Sequence, residues 1–251
     1  MYKNIKLLTV IESLGKGGAE RVLVNTLPEL QKIGIDCEVI ILFDKDDLAK
    51  ELEDFGIEVY KLNLSNKWNI FEGITKMLKI YNYKEYDIVH AHLFFAHFYT
   101  ALSLLFNKKI KSIVTFHNLG FDEYPATSVT KKIRKKMEEL CIKTFNLKTA
   151  VSYAVKEHYS YHLNLKNVKT INNFFPISSF EKYKIKKEKF DSFTILTPGR
   201  FVPKKGHKYL IESIKLLNKK TINLNFLFIG DGPLKDLLKE ETEKISNINI
   251  L

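Results

Sequence analysis

Short β-branched runs alternate with longer amphipathic segments along the whole chain, and this alternation constrains the fold more than any other feature. Strands are expected at residues 5–11, 37–42, 57–62, 87–91, 112–116, 149–152 and 168–171. In the first segment between strands, Val22, Leu23, Leu27, Leu30 and Ile33 recur at helical spacing, and Gly34 stands at the stop. Such an order predicts a parallel sheet with crossover helices. The pattern breaks after about residue 172. Residues 173–191 hold Pro176, Ser178, Ser179 and a charged run at 182–189, and they read as a linker. Alternation then restarts, with strands expected at 193–197, 224–229 and 248–251 and helices at 206–217 and 233–244. The expected fold class is therefore α/β. One complete parallel-sheet domain covers 1–172, and an incomplete second domain of the same kind covers 192–251. A unit of about 60 residues buries a poor core on its own.

Composition removes several other classes. Of 251 residues, 45% are hydrophobic and 27% charged, which supports a packed core and excludes wholesale disorder. The net charge of +11 suggests an acidic partner, but only three of the 40 basic residues are Arg. The Lys excess accompanies many Asn and Ile, as a general compositional bias would, and no aromatic interleaving marks a nucleic-acid face. No nucleic-acid partner is expected. No apolar run reaches the roughly 18 residues of a spanning helix. The apolar run near the start ends in Glu12 and a glycine-rich loop without a small-residue cleavage site, so it reads as a first strand. Cys37 and Cys141 are far apart and form no metal or redox spacing, which fits a reducing, cytoplasmic location.

Glycines gather where strands end or helices begin: Gly15, Gly17, Gly18, Gly199, Gly206, Gly230 and Gly232. Ligands of open α/β sheets bind at these strand ends, and helix N-termini there offer free N–H groups to phosphate. Two glycine-rich surfaces, one per domain, are thus expected to face a common cleft. The first loop is not a dinucleotide fingerprint, because the third required glycine falls at Glu20, whose carboxylate would repel a pyrophosphate. A tight turn that starts a helix remains an alternative role for Gly17 and Gly18.

In the second domain Arg200 follows Gly199, and Lys205 precedes Gly206. A guanidinium fork and an ammonium beside a helix N-terminus can neutralise a diphosphate without a metal. Lys204 reads as a solvated charge. His117 ends an apolar strand, where a neutral imidazole can either hydrogen-bond a sugar hydroxyl or serve the structure alone. His90 and His92 point the same way along a strand, but no third metal ligand accompanies them, and no metal is expected. Residues 128–145 form a basic amphipathic helix, with Lys131, Lys132, Arg134, Lys135 and Lys136 in its first half. Its polar side suits either an anionic membrane surface or plain solvation over the core.

Five stretches together resemble the retaining family 4 glycosyltransferases of bacteria. They are Gly17 to Arg21, Asp87 to His92, Thr115 to Asn118, Gly199–Arg200 with Lys205–Gly206, and Gly230 to Pro233. The resemblance implies a GT-B-like fold of two Rossmann-like domains. It implies a nucleotide-sugar donor, UDP-linked, with no metal cofactor, and a glycan or lipid-linked acceptor in cell-surface polysaccharide or lipopolysaccharide synthesis. It assigns Arg200 and Lys205 to the donor diphosphate, with Gly17 and Gly18 beneath its phosphates. It assigns His117 to the transferred sugar as the catalytic residue, and Glu20, Asn118, Gly230 and Gly232 to the cleft.

The family also places two Glu residues eight positions apart later in the second domain, and no such pair occurs here in a matching context. The chain thus resembles a transferase truncated in its C-terminal domain, inactive alone. Two alternatives stay open: a non-catalytic remnant or half of a split enzyme that binds a partner chain, and a sugar-nucleotide epimerase of the same shape. A peripheral position on the inner face of the membrane, through helix 128–145, is a further expectation.

Overall fold

The computed structural model describes residues 5–123, 128–177, 192–218, 224–243 and 245–251. Most of the expected linker, residues 178–191, lies outside the described residues. The chain divides into two compact units, Met1–Tyr183 and Lys184–Leu251.

The first unit is built on seven strands: β1 (Ile5–Ile11), β2 (Ile35–Ile41), β3 (Glu58–Lys61), β4 (Ile88–His92), β5 (Lys111–Phe116), β6 (Leu147–Ala150) and β7 (Val168–Thr170). They form one sheet in the order β3-β2-β1-β4-β5-β6-β7, with every pairing parallel. Successive side chains of a strand point to opposite faces, and here both faces are covered. Leu8 and Val10 of β1 pack into one core with Val89, Val114 and Phe116. Leu7 and Ile11 pack into the other, with Leu23, Val24 and Leu27 of helix α1 (Gly18–Lys32). That two-sided burial explains why the strands read as apolar runs instead of alternating ones.

The remaining helices of this unit are α2 (Ala49–Glu53), α3 (Ile70–Tyr83), α4 (Phe94–Leu104), α5 (Gly120–Glu123), α6 (Val129–Thr144) and α7 (Tyr153–Leu163). Element boundaries moved where side chains cap helices. The strand expected at 149–152 stops at Ala150, because Ser152 becomes the N-cap of α7 and accepts a hydrogen bond from the Val155 N–H at 3.2 Å. The strand expected at 87–91 extends through His92. Strand order reverses direction between β1 and β4, so the loops after those strands splay apart and leave a crevice at their carboxyl ends.

The second unit has strands β8 (Thr194–Pro198), β9 (Asn225–Ile229) and β10 (Ile248–Ile250) in the parallel order β10-β9-β8. Helices α8 (His207–Leu217) and α9 (Lys235–Thr242) pack on it. Its core is Phe201, Ile211, Ile214, Phe226, Phe228, Leu238 and Ile248, with Phe201 and Phe228 wholly buried. Each large apolar side chain buried in this way contributes about 1.5–3 kcal/mol.

Candidate functional site

A pocket of about 410 Å³ opens in the first unit at the sheet crevice. That volume lies within the roughly 300–1,000 Å³ common for small-molecule sites. Three strand ends position it. Glu12 follows β1, Phe94 and Phe95 begin α4 just after β4, and His117 and Asn118 follow β5. Leu93 turns the chain into α4 with a positive φ of 73°, an unusual conformation for a branched side chain. The Phe95 N–H donates to Glu12 Oε1 at 2.9 Å, so the β1 loop is tied to the first turn of α4. Burial raises the Glu12 carboxyl above its ordinary value, against the pull of that amide and of Lys67 and Arg134.

His117 sits at the head of a polar ladder set by strand register. His92 pairs with Thr115 across β4 and β5. That register brings His92 Nδ1 within 2.8 Å of His117 Nε2, and His90 Nε2 within 2.7 Å of Thr115 Oγ1. Thr115 Oγ1 in turn lies 2.6 Å from Thr149 Oγ1. Burial pushes His117 down to about 4 and His90 and His97 down to about 3, and His92 also falls well below its ordinary value. All four rings are therefore neutral near pH 7, and the partnered Nε2 of His117 leaves Nδ1 for a ligand. His90 and His92 are thus committed to Thr115 and His117.

Helix α6 supplies the opposite wall. Lys131, Arg134, Lys135 and Glu138 stand at i, i+3, i+4 and i+7, so one helical face turns all four toward the pocket. The Arg134 guanidinium lies 4.0 Å from the centre of the Phe94 ring, and Lys135 Nζ lies 5.2 Å from that of Phe121. Glu138 is buried, and burial pushes its carboxyl up to about 7 despite Arg134. The sequence offered that helix as a membrane face or a solvated one. Half of its charge, Lys131, Arg134, Lys135 and Glu138, lines a cavity, and Lys132 and Lys136 stay exposed. Glu12 and Glu138 were missed by sequence reasoning, although the i, i+3, i+4, i+7 charge spacing was there to be found.

Phe116 stacks on Tyr159 at 3.8 Å, and a Cβ on Gly120 would strike the Tyr159 hydroxyl, so that glycine lets the Tyr159 ring close the floor. One metal-ligating group also occurs among the described residues, Asp122 with His158 and His162. There His158 Nε2 accepts the Phe121 N–H at 3.1 Å, which commits that nitrogen to the backbone.

At the first glycine loop, Gly17 is the N-cap of α1. The Glu20 side chain folds back over it, and a Cβ on Gly17 would collide with that carboxylate, whereas Gly18 is open on its Cβ side. Arg21 leaves the loop and makes a two-pronged ion pair with Glu51 at 2.7 and 3.2 Å. Gly17, Gly18 and Glu20 do not line the pocket.

In the second unit the loops after β8 and β9 interlock. The Gly199 N–H donates to the Ile229 carbonyl at 2.9 Å, and the Phe201 N–H to the Asp231 carbonyl at 2.9 Å. A Cβ on Gly230 would overlap the Gly199 carbonyl, and one on Gly232 would press on the Phe201 backbone. These two glycines are thus required by close packing of main chain. The frame presents Arg200 and Lys205, both exposed, on one surface: the Lys205 stem lies over Gly199, 4.0 Å from where a Cβ would stand. Gly206, with φ of 71°, ends the 3₁₀ turn Pro203–Lys205 and starts α8. Neither Arg200 nor Lys205 forms an ion pair among the described residues.

Known proteins match this architecture. The chain is 28% identical over 231 residues to the capsular polysaccharide biosynthesis glycosyltransferase CapH of Staphylococcus aureus, covering 90% of this chain and 62% of that one. The chain therefore spans less than two thirds of that relative's length. Among solved structures, Anabaena Alr3699/HepE in complex with UDP and glucose superposes with a TM-score of 0.75 at 18% identity, over 99% of this chain and 69% of that one. The UDP-GlcNAc 2-epimerase of Neisseria meningitidis has the same fold, with a TM-score of 0.64 at 17% identity over 98% and 72%. The fold is thus of the GT-B class. Residues 179–249 match the glycosyl transferases group 1 model, and residues 16–178, well over half of the chain, match the model of Glycosyltransferase Family 4, so the chain belongs to glycosyltransferase family 4.

Proposed function

We propose that this chain acts as a hexosyl- or N-acetylhexosaminyltransferase in cell-surface polysaccharide or lipopolysaccharide synthesis. The donor is a nucleotide-sugar, UDP-linked, and the acceptor is a glycan or lipid-linked saccharide. The observation that carries the reading is the pair Arg200 and Lys205. They are exposed cations without an ion-pair partner among the described residues, held on an interlocked glycine frame beside the start of α8. Negative charge grows on the diphosphate as it leaves, and cations already in place favour the transition state over the ground state. In this reading the second unit holds the donor, and the pocket of the first unit holds the acceptor. His117, kept neutral by burial and anchored by His92, hydrogen-bonds a hydroxyl of the transferred sugar.

The outer side of α6 supports a place at the membrane surface. Val129, Ile133 and Leu140 are exposed opposite the pocket, with exposed Lys132 and Lys136 beside them. No helix among the described residues is long and apolar enough to cross a membrane, so contact would be peripheral.

The test is incubation with a panel of radiolabelled UDP-sugars and an acceptor-bearing membrane extract. Label passing into glycan or lipid, and lost on His117→Ala, supports transfer. UDP-sugar returned with an inverted C2 centre, and no label in acceptor, would replace this reading with an epimerase, the second activity found on this fold.

A further inference from the structure

The polar ladder behind His117 fixes where its protons sit. With the rings neutral, each imidazole carries one ring proton and one bare nitrogen. One end of the ladder is set by a carbonyl, which can only accept. The Thr149 hydroxyl donates to the Val114 carbonyl at 3.1 Å, so toward Thr115 it accepts, and Thr115 donates across their 2.6 Å contact. The Thr115 oxygen, its own proton spent, accepts from His90, which places the His90 proton on Nε2.

His92 and His117 face each other through His92 Nδ1 and His117 Nε2, and one of these two nitrogens carries the proton of the hydrogen bond. The far nitrogen of His92, Nε2, is buried and has no partner among the described residues. If His117 donated, that nitrogen would bear an N–H with nothing to accept it. If His92 donates from Nδ1, its Nε2 keeps only an unused lone pair. Buried N–H groups without an acceptor are rare in folded proteins, and an unused lone pair is tolerated more often. The second arrangement is therefore the stable one. It leaves His117, which lines the pocket, bare at Nε2 and protonated at Nδ1.

We propose that His92 is a positioning residue for the transfer: it sets the tautomer of His117, so that His117 meets the transferred sugar as an N–H donor to an oxygen lone pair. The inference deepens the transferase reading and rests on it for the identity of the ligand, whereas the tautomer is a property of the free chain. Free histidine prefers the opposite tautomer, with its proton on Nε2, so without His92 the ring would offer the pocket a bare nitrogen. A bare nitrogen needs a hydroxyl proton, and it cannot bond a sugar ring oxygen or glycosidic oxygen, which only accept.

The test is ¹⁵N NMR of the histidine rings in the labelled full chain at neutral pH. The chain has seven histidines, and His117 is identified by the signals lost in His117→Gln. His90, protonated on Nε2, serves as the internal reference. His117 should show a protonated Nδ1 and a bare Nε2. His92→Phe, which keeps a ring and removes the donor, should return His117 to the Nε2-protonated form. His92→Asn, whose amide nitrogen stands where Nδ1 stood, should keep the Nδ1-protonated form. A wild-type His117 protonated on Nε2 overturns the inference whether or not the variants fold, and so does a tautomer unmoved in folded His92→Phe.

No ligand enters that measurement, so its outcome is separate from the transferase reading. In the label-transfer assay, His92→Phe should lower the rate at least about tenfold with UDP affinity unchanged. An unchanged rate in the folded variant overturns the positioning role. A wild-type chain that shows the Nδ1 tautomer and transfers no label overturns the transferase reading, and with it the ligand named here, while the tautomer stands.

Discussion

Glu138 places a titratable cost inside the pocket that can be measured directly. Burial holds its carboxyl at about 7 in the folded chain, against an ordinary value of 4.5. A carboxyl raised by folding keeps its proton longer in the folded state than in the unfolded one. The folded state therefore binds more protons between pH 4.5 and about 7, and stability falls as pH rises through that window. Below it the group contributes nothing, and above it the cost is complete. Linkage with these two values gives a loss of roughly 2.5 kcal/mol between pH 5 and pH 8.

Glu138→Gln removes the ionisation but keeps the shape. The variant should gain about 2.5 kcal/mol on the wild type at pH 8 relative to the same comparison at pH 5, a shift of about 5–10 °C in melting temperature. The other charged groups around Glu138 are Arg134, Lys131 and Lys135 on its own helix, Glu12 after β1, Lys67, and the neutral rings of His97 and His117. They are common to both proteins and leave the difference. A stability difference between the two proteins that is flat from pH 5 to pH 8 would show that burial does not raise the Glu138 carboxyl.

Other outcomes follow from packing and burial. Gly230→Ala must push the Gly199 carbonyl away, so the second unit should lose about 1–3 kcal/mol, read as faster amide exchange in β8 and β9. Unchanged exchange there would contradict the interlocked frame. Burial raises Cys37 and Cys141 to about 11, so both should resist maleimide at pH 8 until denaturant is added. Rapid labelling of the native chain would show that one of them is accessible.

Periodicity made the strands legible, because a parallel sheet buried on both faces selects apolar runs such as residues 5–11. It also located the strand-end residues His117 and Arg200. What it could not supply depends on register and on contacts distant in sequence. The His92–His117 pair exists because β4 and β5 align His92 with Thr115, and no local spacing encodes that alignment. Glu12 read as the end of a strand, and its bond to the Phe95 amide, 83 positions away, is what draws it into the pocket. Gly230 and Gly232 stood out as cleft candidates, and no local spacing encodes the close approach of the Gly199 and Phe201 backbone that also requires them. The charged stretch of α6 was ambiguous because helical spacing sorts its charges by face but does not say which face meets a cavity.

Calorimetric titration with UDP reads whether Arg200 and Lys205 form the seat of a donor diphosphate. UDP should bind the wild-type chain, and Arg200→Ala with Lys205→Ala should weaken it by at least about tenfold, with uridine alone little affected. UDP affinity unchanged by the double substitution would contradict that assignment.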